Sequence, residues 1–257
     1  MQGKVIVITG ASAGIGAALA QLCSQRGAKV ALIARRVAEL TQVAASCAEA
    51  EVIVADVTVR AEVEAAAAAA IARFSSIDVW VNNAGRGISR KPSELTDDDL
   101  DEMMKVNVKS AMYGLQAVLP HFRARGGGHV INVSSMLGRM PLAGIRAAYS
   151  ASKHALNALS ANLRMELAPE NILVSVVSPG VVATDFGANA MHGGLDSRAF
   201  PGAQSAAEVA AVIADVIDHR RADAYTRPGF REVVAGYYAA PDMAAAEQQP
   251  PFFVAPR

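Results

Sequence analysis

Short runs of β-branched residues alternate along the chain with longer segments in which apolar residues recur every three or four positions. The short runs are typical of strands buried on both faces, and the longer segments are typical of amphipathic helices. The runs predict strands at 5–8, 29–33, 51–55, 77–81, 129–133, 172–177 and 223–227. The segments between them predict one helix that ends near residue 26 and others at about 37–48, 60–74, 97–123, 147–168 and 205–219.

The alternation of strands and helices predicts the fold class. Successive strands joined by right-handed helical crossovers form a parallel sheet covered by helices on both faces, which is an α/β fold. A chain of 257 residues can bury one core, and no linker divides it, so we predict one domain at 1–240 with an aperiodic substrate loop at 185–205. The Ala-, Gln- and Pro-rich segment 241–257 is predicted to be a mostly mobile tail, with Phe252 and Phe253 as candidates to pack on a neighbouring subunit.

Composition and charge exclude several classes of protein. The formal net charge is zero, with 24 basic and 24 acidic residues, which argues against a nucleic-acid partner. The two cysteines, Cys23 and Cys47, are too few for a disulfide framework, and the five histidines show no metal-ligand spacing, so we expect no metal. The chain starts directly with a strand pattern and has no apolar run of about 18 residues. We therefore expect a cytoplasmic protein without a membrane partner.

A glycine-rich turn lies between the first predicted strand and the first predicted helix, with the spacing GxxxGxG. Such a turn lets the backbone approach phosphate oxygens, and the helix N-terminus that follows favours their negative charge. The spacing differs from GxGxxG, and a merely structural turn is the alternative. The predicted phosphate-binding residues are Gly10, Ser12, Ala13, Gly14, Ile15 and Gly16.

The end of the second predicted strand indicates which dinucleotide would bind. An acidic residue there suits a free ribose hydroxyl, whereas arginine suits a 2′-phosphate. The chain has Arg35 and Arg36 at this point and no carboxylate. We therefore predict that NADP(H) is preferred, with NAD(H) as the alternative cofactor; two solvated arginines at a helix start are the competing interpretation.

Two further segments follow predicted strands and could contact a nucleotide. Asp56 and Val57 follow the third strand, where the carboxylate could accept a hydrogen bond from an adenine amino group or simply cap a helix. The sequence NNAG at 82–85 follows the fourth strand and offers small residues beside which a cofactor could lie; alone it would be only a turn. The predicted contacts in this segment are Asn83, Ala84 and Gly85.

Tyr149 and Lys153 are candidates for the chemistry. They are four positions apart in a predicted helix and therefore lie on one face. A tyrosine with an unperturbed pKa near ~10 is a poor acid or base at neutral pH, but a nearby ammonium lowers its pKa. Such a pair could exchange a proton with a carbonyl or alcohol oxygen. The spacing alone would also fit two ordinary surface residues.

Taken in order, these motifs resemble the short-chain dehydrogenase/reductase family over roughly residues 4–185. The resemblance implies a single Rossmann-like domain with about seven parallel strands, and hydride exchange between a nicotinamide cofactor and a carbonyl or alcohol. The motifs are TGxxxGIG at 9–16, Asp56, NNAG at 82–85, Asn107, the serine pair at 134–135, YxxxK at 149–153 and Pro179-Gly180.

The resemblance also implies residue roles. Tyr149 corresponds to the catalytic acid/base, and Lys153 to the residue that lowers its pKa and binds the nicotinamide ribose. Ser135 corresponds to the hydroxyl that holds the substrate oxygen, with Ser134 as the alternative. Asn107 corresponds to the residue that supports a water relay to the lysine; a satisfied core amide is the alternative. Near the nicotinamide, the family's PGxVxT segment corresponds here to Pro179, Gly180, Val182 and Thr184.

The sequence thus predicts an NADP(H)-dependent oxidoreductase acting on a carbonyl or secondary alcohol. The alternatives are an NAD-dependent alcohol dehydrogenase of the same family and a dinucleotide-binding sensor without turnover. Apolar residues in 185–205, with a second wall at 136–145, favour a moderately apolar substrate. Long apolar helix faces, by resemblance to the family, predict a homodimer or homotetramer.

Overall fold

The computed structural model describes residues 1–141 and 144–249, and a seven-stranded sheet lies at its centre. Every strand pair in this sheet is parallel, and the order is β3-β2-β1-β4-β5-β6-β7. The strands are β1 (Val5–Thr9), β2 (Lys29–Ala34), β3 (Ala50–Val54), β4 (Val79–Asn82), β5 (Gly128–Val133), β6 (Ile172–Ser178) and β7 (Asp223–Tyr225). The direction in which strands are added reverses after β3, which creates a crevice at the carboxyl ends of β1 and β4 where such sheets bind ligands.

Helices connect the strands in the order that the hydrophobic pattern predicts. They are α1 (Gly14–Gln25), α2 (Val37–Ala45), α3 (Arg60–Phe74), α4 (Asp97–Met104), α5 (Ser110–Arg125), α6 (Ala147–Leu167), α7 (Ala206–His219), α8 (Phe230–Ala239) and α9 (Met243–Glu247). Within residues 1–141 and 144–249, no helix is both long and apolar enough to cross a membrane.

Alternate strand residues point to opposite faces of the sheet, and both faces are buried. In β1, Ile6 and Ile8 belong to one core cluster, together with Leu19 of α1 and residues of α7. Val5 and Val7 belong to a second cluster, which contains Trp80 and residues of α3 and α5. The structure therefore confirms the predicted single-domain, doubly wound α/β fold.

The long helix predicted at 97–123 is interrupted by one π-helical turn at Lys105–Lys109. Single π-helical turns are frequent at functional sites, and this one contains Asn107. Residues 105–109 include no glycine or proline that would mark an irregular turn. The apolar pattern gives no signal for the π-helical turn either. Its position becomes visible only when the surrounding contacts are known.

The C-terminal part of the chain differs most from the prediction. Helix α8 was not predicted, and α9 lies at the start of the tail that we expected to be mostly mobile. The Tyr237 hydroxyl donates a 2.8 Å hydrogen bond to the Glu247 carboxylate and joins these two helices. Phe252 and Phe253, proposed above as packing residues, lie outside the described residues, as does part of the predicted wall at 136–145.

Candidate active site

Tyr149 and Lys153 lie one turn apart near the start of α6, and their exposed fractions are only 7% and 3%. Ser135 is the second residue after β5 and accepts a 3.1 Å hydrogen bond from the Leu137 amide, and hydrogen bonding with Ser135 lowers the pKa of Tyr149. The alternative, Ser134, has a buried hydroxyl with no hydrogen-bond partner in the described part of the chain. Of the two serines, Ser135 is the one that acts on the pKa of the tyrosine.

The surroundings of Tyr149 determine its pKa. Burial raises the pKa of Tyr149 to about 12, while the hydrogen bond with Ser135 and the charge of Arg146 lower it. The Lys153 ammonium lies 5.7 Å from the tyrosine ring centroid. Arg146 is therefore a cation near Tyr149 in addition to Lys153, whose effect on the tyrosine stays a prediction.

Lys153 is held by backbone. Its ammonium donates a 2.9 Å hydrogen bond to the Val133 carbonyl at the end of β5. Burial lowers the pKa of Lys153 to about 8, because the charged form loses its hydration. The side chain is therefore held close to its protonation midpoint at the carboxyl edge of the sheet, where it can exchange a proton near neutral pH.

Asn107 is fixed by four groups. Its amide nitrogen donates to the Arg86 carbonyl at 3.0 Å and to the Ser152 hydroxyl at 3.1 Å, and it lies 3.6 Å from the Met103 sulfur. Its oxygen accepts from the Arg86 amide at 3.0 Å. A Cβ placed on Gly85 would lie 3.0 Å from the Asn107 oxygen and 3.7 Å from the Lys153 ammonium. Asn107 and Lys153 thus converge on the backbone of Gly85.

The glycine-rich turn packs tightly against the segment after β4. A Cβ on Gly10 would lie 2.9 Å from the Ala84 Cα, and one on Gly16 would lie 2.4 Å from the Gly10 carbonyl oxygen. The Thr9 hydroxyl accepts hydrogen bonds from the Asn83 and Ala84 amides at 3.0 and 3.1 Å. These contacts hold the turn and the NNAG segment together at the crevice.

The N-terminus of α1 differs from those of α4 and α7. Residue Ala13 is its N-cap and provides no side-chain hydrogen bond, and the first turn contains no acidic residue. Helices α4 and α7 instead start with complete capping boxes at Thr96 and Ser205. The first amide groups of α1, which include that of Ile15, therefore lack a side-chain acceptor and are available to an anion.

Two exposed arginines lie beside this turn. The Arg36 guanidinium donates a 3.0 Å hydrogen bond to the Ser12 hydroxyl and pairs with Glu39 at 3.2 Å. Arg35 lies 3.6 Å from the Asp56 carboxylate. Burial works against ionisation of Asp56, but hydrogen bonds with Thr58 and the Arg35 charge outweigh it, so the pKa of Asp56 is lowered. Val57, the neighbour of Asp56, packs on the second core cluster.

The segment after β6 completes the crevice. The Pro179 carbonyl accepts a 2.8 Å hydrogen bond from the Met136 amide, which connects it to the segment that follows Ser135. Thr184 contacts the glycine-rich turn, since a Cβ on Gly14 would lie 3.1 Å from its methyl group. Val182 forms an isolated β-bridge with Gln204 and is buried. Gly180 contacts Arg227.

The predicted substrate loop covers Tyr149. The Phe186 ring meets the tyrosine ring edge-on, with a centroid distance of 5.7 Å. Met191 is bound to the segment after β4 by a β-bridge with Ile88 and by backbone hydrogen bonds to Gly87 and Ser89, each 2.9 Å long. The loop and the segment after β4 are therefore joined to each other beside Tyr149.

Arg146 is the site residue that the sequence interpretation missed. Its charge acts on Tyr149, and its guanidinium donates a 3.1 Å hydrogen bond to the Ile88 carbonyl. The available signal was a cation at the N-cap of α6 with no acidic residue in the first turn.

Elsewhere, the described residues contain no group of three His, Cys, Asp or Glu side chains arranged to hold a metal.

Comparison with known proteins agrees with this geometry. Residues 4–193 match the family model described as short chain dehydrogenase. An uncharacterised oxidoreductase of Staphylococcus epidermidis is 39% identical over 191 residues, which cover 72% of this chain and 83% of the relative.

Solved structures extend the likeness over nearly the whole chain. A short-chain dehydrogenase from Streptomyces avermitilis superposes with a TM-score of 0.82 at 33% identity, covering 96% of each chain. A Burkholderia phymatum protein in complex with NAD has a TM-score of 0.83 at 25% identity, covering 100% of this chain and 99% of the other. A Burkholderia cenocepacia protein in complex with NADP has a TM-score of 0.81 at 27% identity, covering 96% of each.

Proposed function

Because the chain belongs to the short-chain dehydrogenase family, we propose that it is an oxidoreductase that exchanges a hydride between NADP(H) and a carbonyl or secondary alcohol. The observation that supports this most strongly is the burial of Tyr149 and Lys153 one turn apart on α6, with Ser135 lowering the pKa of the tyrosine. Similar proteins bind NAD or NADP, which supports a nicotinamide dinucleotide as the cofactor.

The crevice has the features that a dinucleotide requires. The uncapped start of α1 would bind the phosphates through backbone amides, and the tight packing of Gly10 and Gly16 brings the backbone of the turn close to them. Asp56 and the NNAG segment would contact the adenosine half, and Lys153 and Thr184 the nicotinamide half. When bound, the cofactor supplies or accepts the hydride.

The preference for NADP(H) rests on Arg35 and Arg36. Both side chains are exposed at the end of β2, and Arg36 is bound to Ser12 in the phosphate-binding turn. A guanidinium offers paired donors that match phosphate oxygens. The end of β2 has no carboxylate of its own. A 2′-phosphate there would meet the Ser12 hydroxyl and two guanidiniums, which pair with Asp56 and Glu39 in this structure.

The protein's own groups would handle the proton. Ser135 and Tyr149 hydrogen-bond the substrate oxygen and stabilise the charge that develops on it. In the reductive direction Tyr149 donates its proton to that oxygen, and in the oxidative direction tyrosinate accepts it. The Arg146 charge favours the tyrosinate, and Lys153, with a pKa lowered to about 8, can return the proton. Asn107 orders the backbone beside the lysine.

The test is titration of the purified protein with NADPH and NADH, followed by oxidation of each cofactor with a panel of ketones. We expect tighter binding of NADPH and ketone-dependent oxidation. If neither NADPH nor NADH binds, the proposal is contradicted, starting with the phosphate-binding role of the glycine-rich turn. Binding without turnover on any carbonyl or alcohol would favour the sensor, and equal use of NADH would favour the NAD-dependent alternative.

A further inference from the structure

The guanidinium of Arg146 lies close to both the segment after β4 and the substrate loop. Its Nη1 donates to the Ile88 carbonyl at 3.1 Å and would be 2.9 Å from a Cβ on Gly87. Its Nη2 would be 3.2 Å from a Cβ on Gly194, which belongs to the substrate loop. Phe186, which contacts the Tyr149 ring, packs on the same Gly87. The cation therefore faces the space beside the catalytic tyrosine.

Within the described residues, no carboxylate neutralises the Arg146 cation. Among residues 1–141 and 144–249, no ion pair includes Arg146, and the only hydrogen bond of its side chain goes to one carbonyl. Neighbouring arginines differ: Arg198 on the substrate loop pairs with Asp185 at 2.7 Å, and Arg90 pairs with Asp99 at 3.0 Å. A guanidinium has several N–H donors, so most of those on Arg146 are available to a ligand.

The location of Arg146 is unfavourable without a ligand. It occupies the N-cap of α6, where the helix dipole disfavours a cation, and the first turn of this helix has no acidic residue. The side chain is half-buried, and desolvation lowers the pKa of Arg146. A bound anion would offset both the unfavourable helix dipole and the desolvation of the guanidinium. An arginine that is exposed to water would not need such an anion.

Resting on the proposed function, we infer that Arg146 binds the carboxylate of an anionic substrate, so that the natural substrate is an oxo acid or the corresponding hydroxy acid. A planar guanidinium binds a carboxylate with two parallel hydrogen bonds. One uncompensated guanidinium matches one negative charge, which favours a monocarboxylate over a phosphate ester. In the reductive direction the carbonyl carbon gains the hydride from NADPH, its oxygen gains the proton of Tyr149, and the products are a hydroxy acid and NADP⁺.

The test compares acids with their neutral esters. We would measure kcat and KM for NADPH-dependent reduction of acetoacetate and 4-oxopentanoate and of their methyl esters, with wild type, Arg146→Gln, Arg146→Lys and Arg198→Gln. The ester reports how far each variant changes the chemistry in general. The ratio of kcat/KM for acid over ester isolates recognition of the charge, and the two acids differ in the spacing of carboxylate and carbonyl.

We expect wild type to prefer the acid of at least one pair. Arg146→Gln should lower the acid-to-ester ratio about 10- to 100-fold, mainly through KM, because a charge-assisted pair is lost. Arg146→Lys should restore part of the preference. Arg198→Gln should leave the ratio unchanged, since that arginine is already paired with carboxylates.

Two outcomes would overturn the inference and are distinct from failure of the proposed function. Reduction of esters and acids with a ratio that does not depend on residue 146 would exclude carboxylate recognition while leaving the oxidoreductase intact. If no compound is reduced, calorimetric binding of the same pairs to the NADPH complex of Tyr149→Phe decides. Equal binding of acid and ester to this complex, with or without the Arg146→Gln substitution, would also exclude carboxylate recognition.

Discussion

The two ends of the crevice place their cations in opposite environments. Lys153 at the proposed catalytic end is 3% exposed and hydrogen-bonds a carbonyl, whereas the Arg35 side chain at the proposed adenosine end is 77% exposed and lies 3.6 Å from Asp56. Burial strengthens electrostatic effects, and water and salt weaken them. Charge changes at the catalytic end should therefore alter pKa values, turnover and stability, whereas those at the adenosine end should alter only binding.

The largest effect is expected for Tyr149→Phe. Loss of the hydroxyl removes the group that transfers the proton, so kcat should fall about 10³-fold or more, while NADPH binding is retained. Turnover would be measured with the best ketone, and binding by titration. The folded state would be checked by thermal unfolding. A variant with a tenth of the wild-type turnover would show that another group transfers the proton.

Lys153→Met should separate activity from stability. We expect kcat/KM to fall about 10²-fold. At pH 7 the free energy of unfolding should rise by about 1–3 kcal/mol, because the wild type pays for a buried ammonium whose pKa is lowered from 10.5 to about 8.

The pH dependence of this difference has a definite sign. Below pH 8 Lys153 is protonated in both the folded and the unfolded state, so the variant's advantage is complete. Between pH 8 and 10.5 the unfolded state binds more protons than the folded state, so wild-type stability rises and the difference shrinks. Denaturant unfolding from pH 7 to 10.5 checks this. A difference that stays constant over the range would show that Lys153 is not the titrating group.

Ala13→Asp tests whether the start of α1 is reserved for an anion. Ala13 already has the extended backbone of an N-cap residue, with φ −163° and ψ 172°. A carboxylate there should cap the amides and stabilise the protein without cofactor by about 1 kcal/mol. It should also weaken binding of both NADPH and NADH about tenfold, by competition and repulsion. Ala13→Asn is the matched uncharged control, and unchanged cofactor binding in Ala13→Asp would contradict the assignment.

The smallest effect is expected for Arg35→Gln at the exposed end. Exposed ion pairs contribute about 0–1 kcal/mol, so NADPH should bind only a few-fold more weakly, and NADH should bind as before. The loss should diminish as salt is added. Titration at low and high ionic strength measures this, with Arg36→Gln as the companion variant. Equal weakening of NADH would mean that Arg35 supports the fold and does not recognise a 2′-phosphate.

Much of the fold could be predicted because its signals are local. The β-branched runs marked the strands, and the glycine-rich turn, NNAG and YxxxK marked the crevice before any contact was known. Prediction was poorer where the determining contacts are distant. Helices α8 and α9 join through Tyr237 and Glu247, and the π-helical turn at Asn107 fits the backbone of Arg86. The homo-oligomer, the cytoplasmic location and the domain limits remain predictions.

The sequence by itself determined the order of strands and helices and the family, and it proposed the candidate catalytic residues, since periodicity and motif spacing depend on neighbours along the chain. The tertiary structure decided which charged side chains are desolvated by burial. Lys153 hydrogen-bonds β5, 20 residues away. Arg146 meets Ile88, 58 residues away, and among the described residues no carboxylate pairs with it. Desolvation and pairing depend on segments that only folding brings together, so the pKa values and the uncompensated cation are properties of the fold.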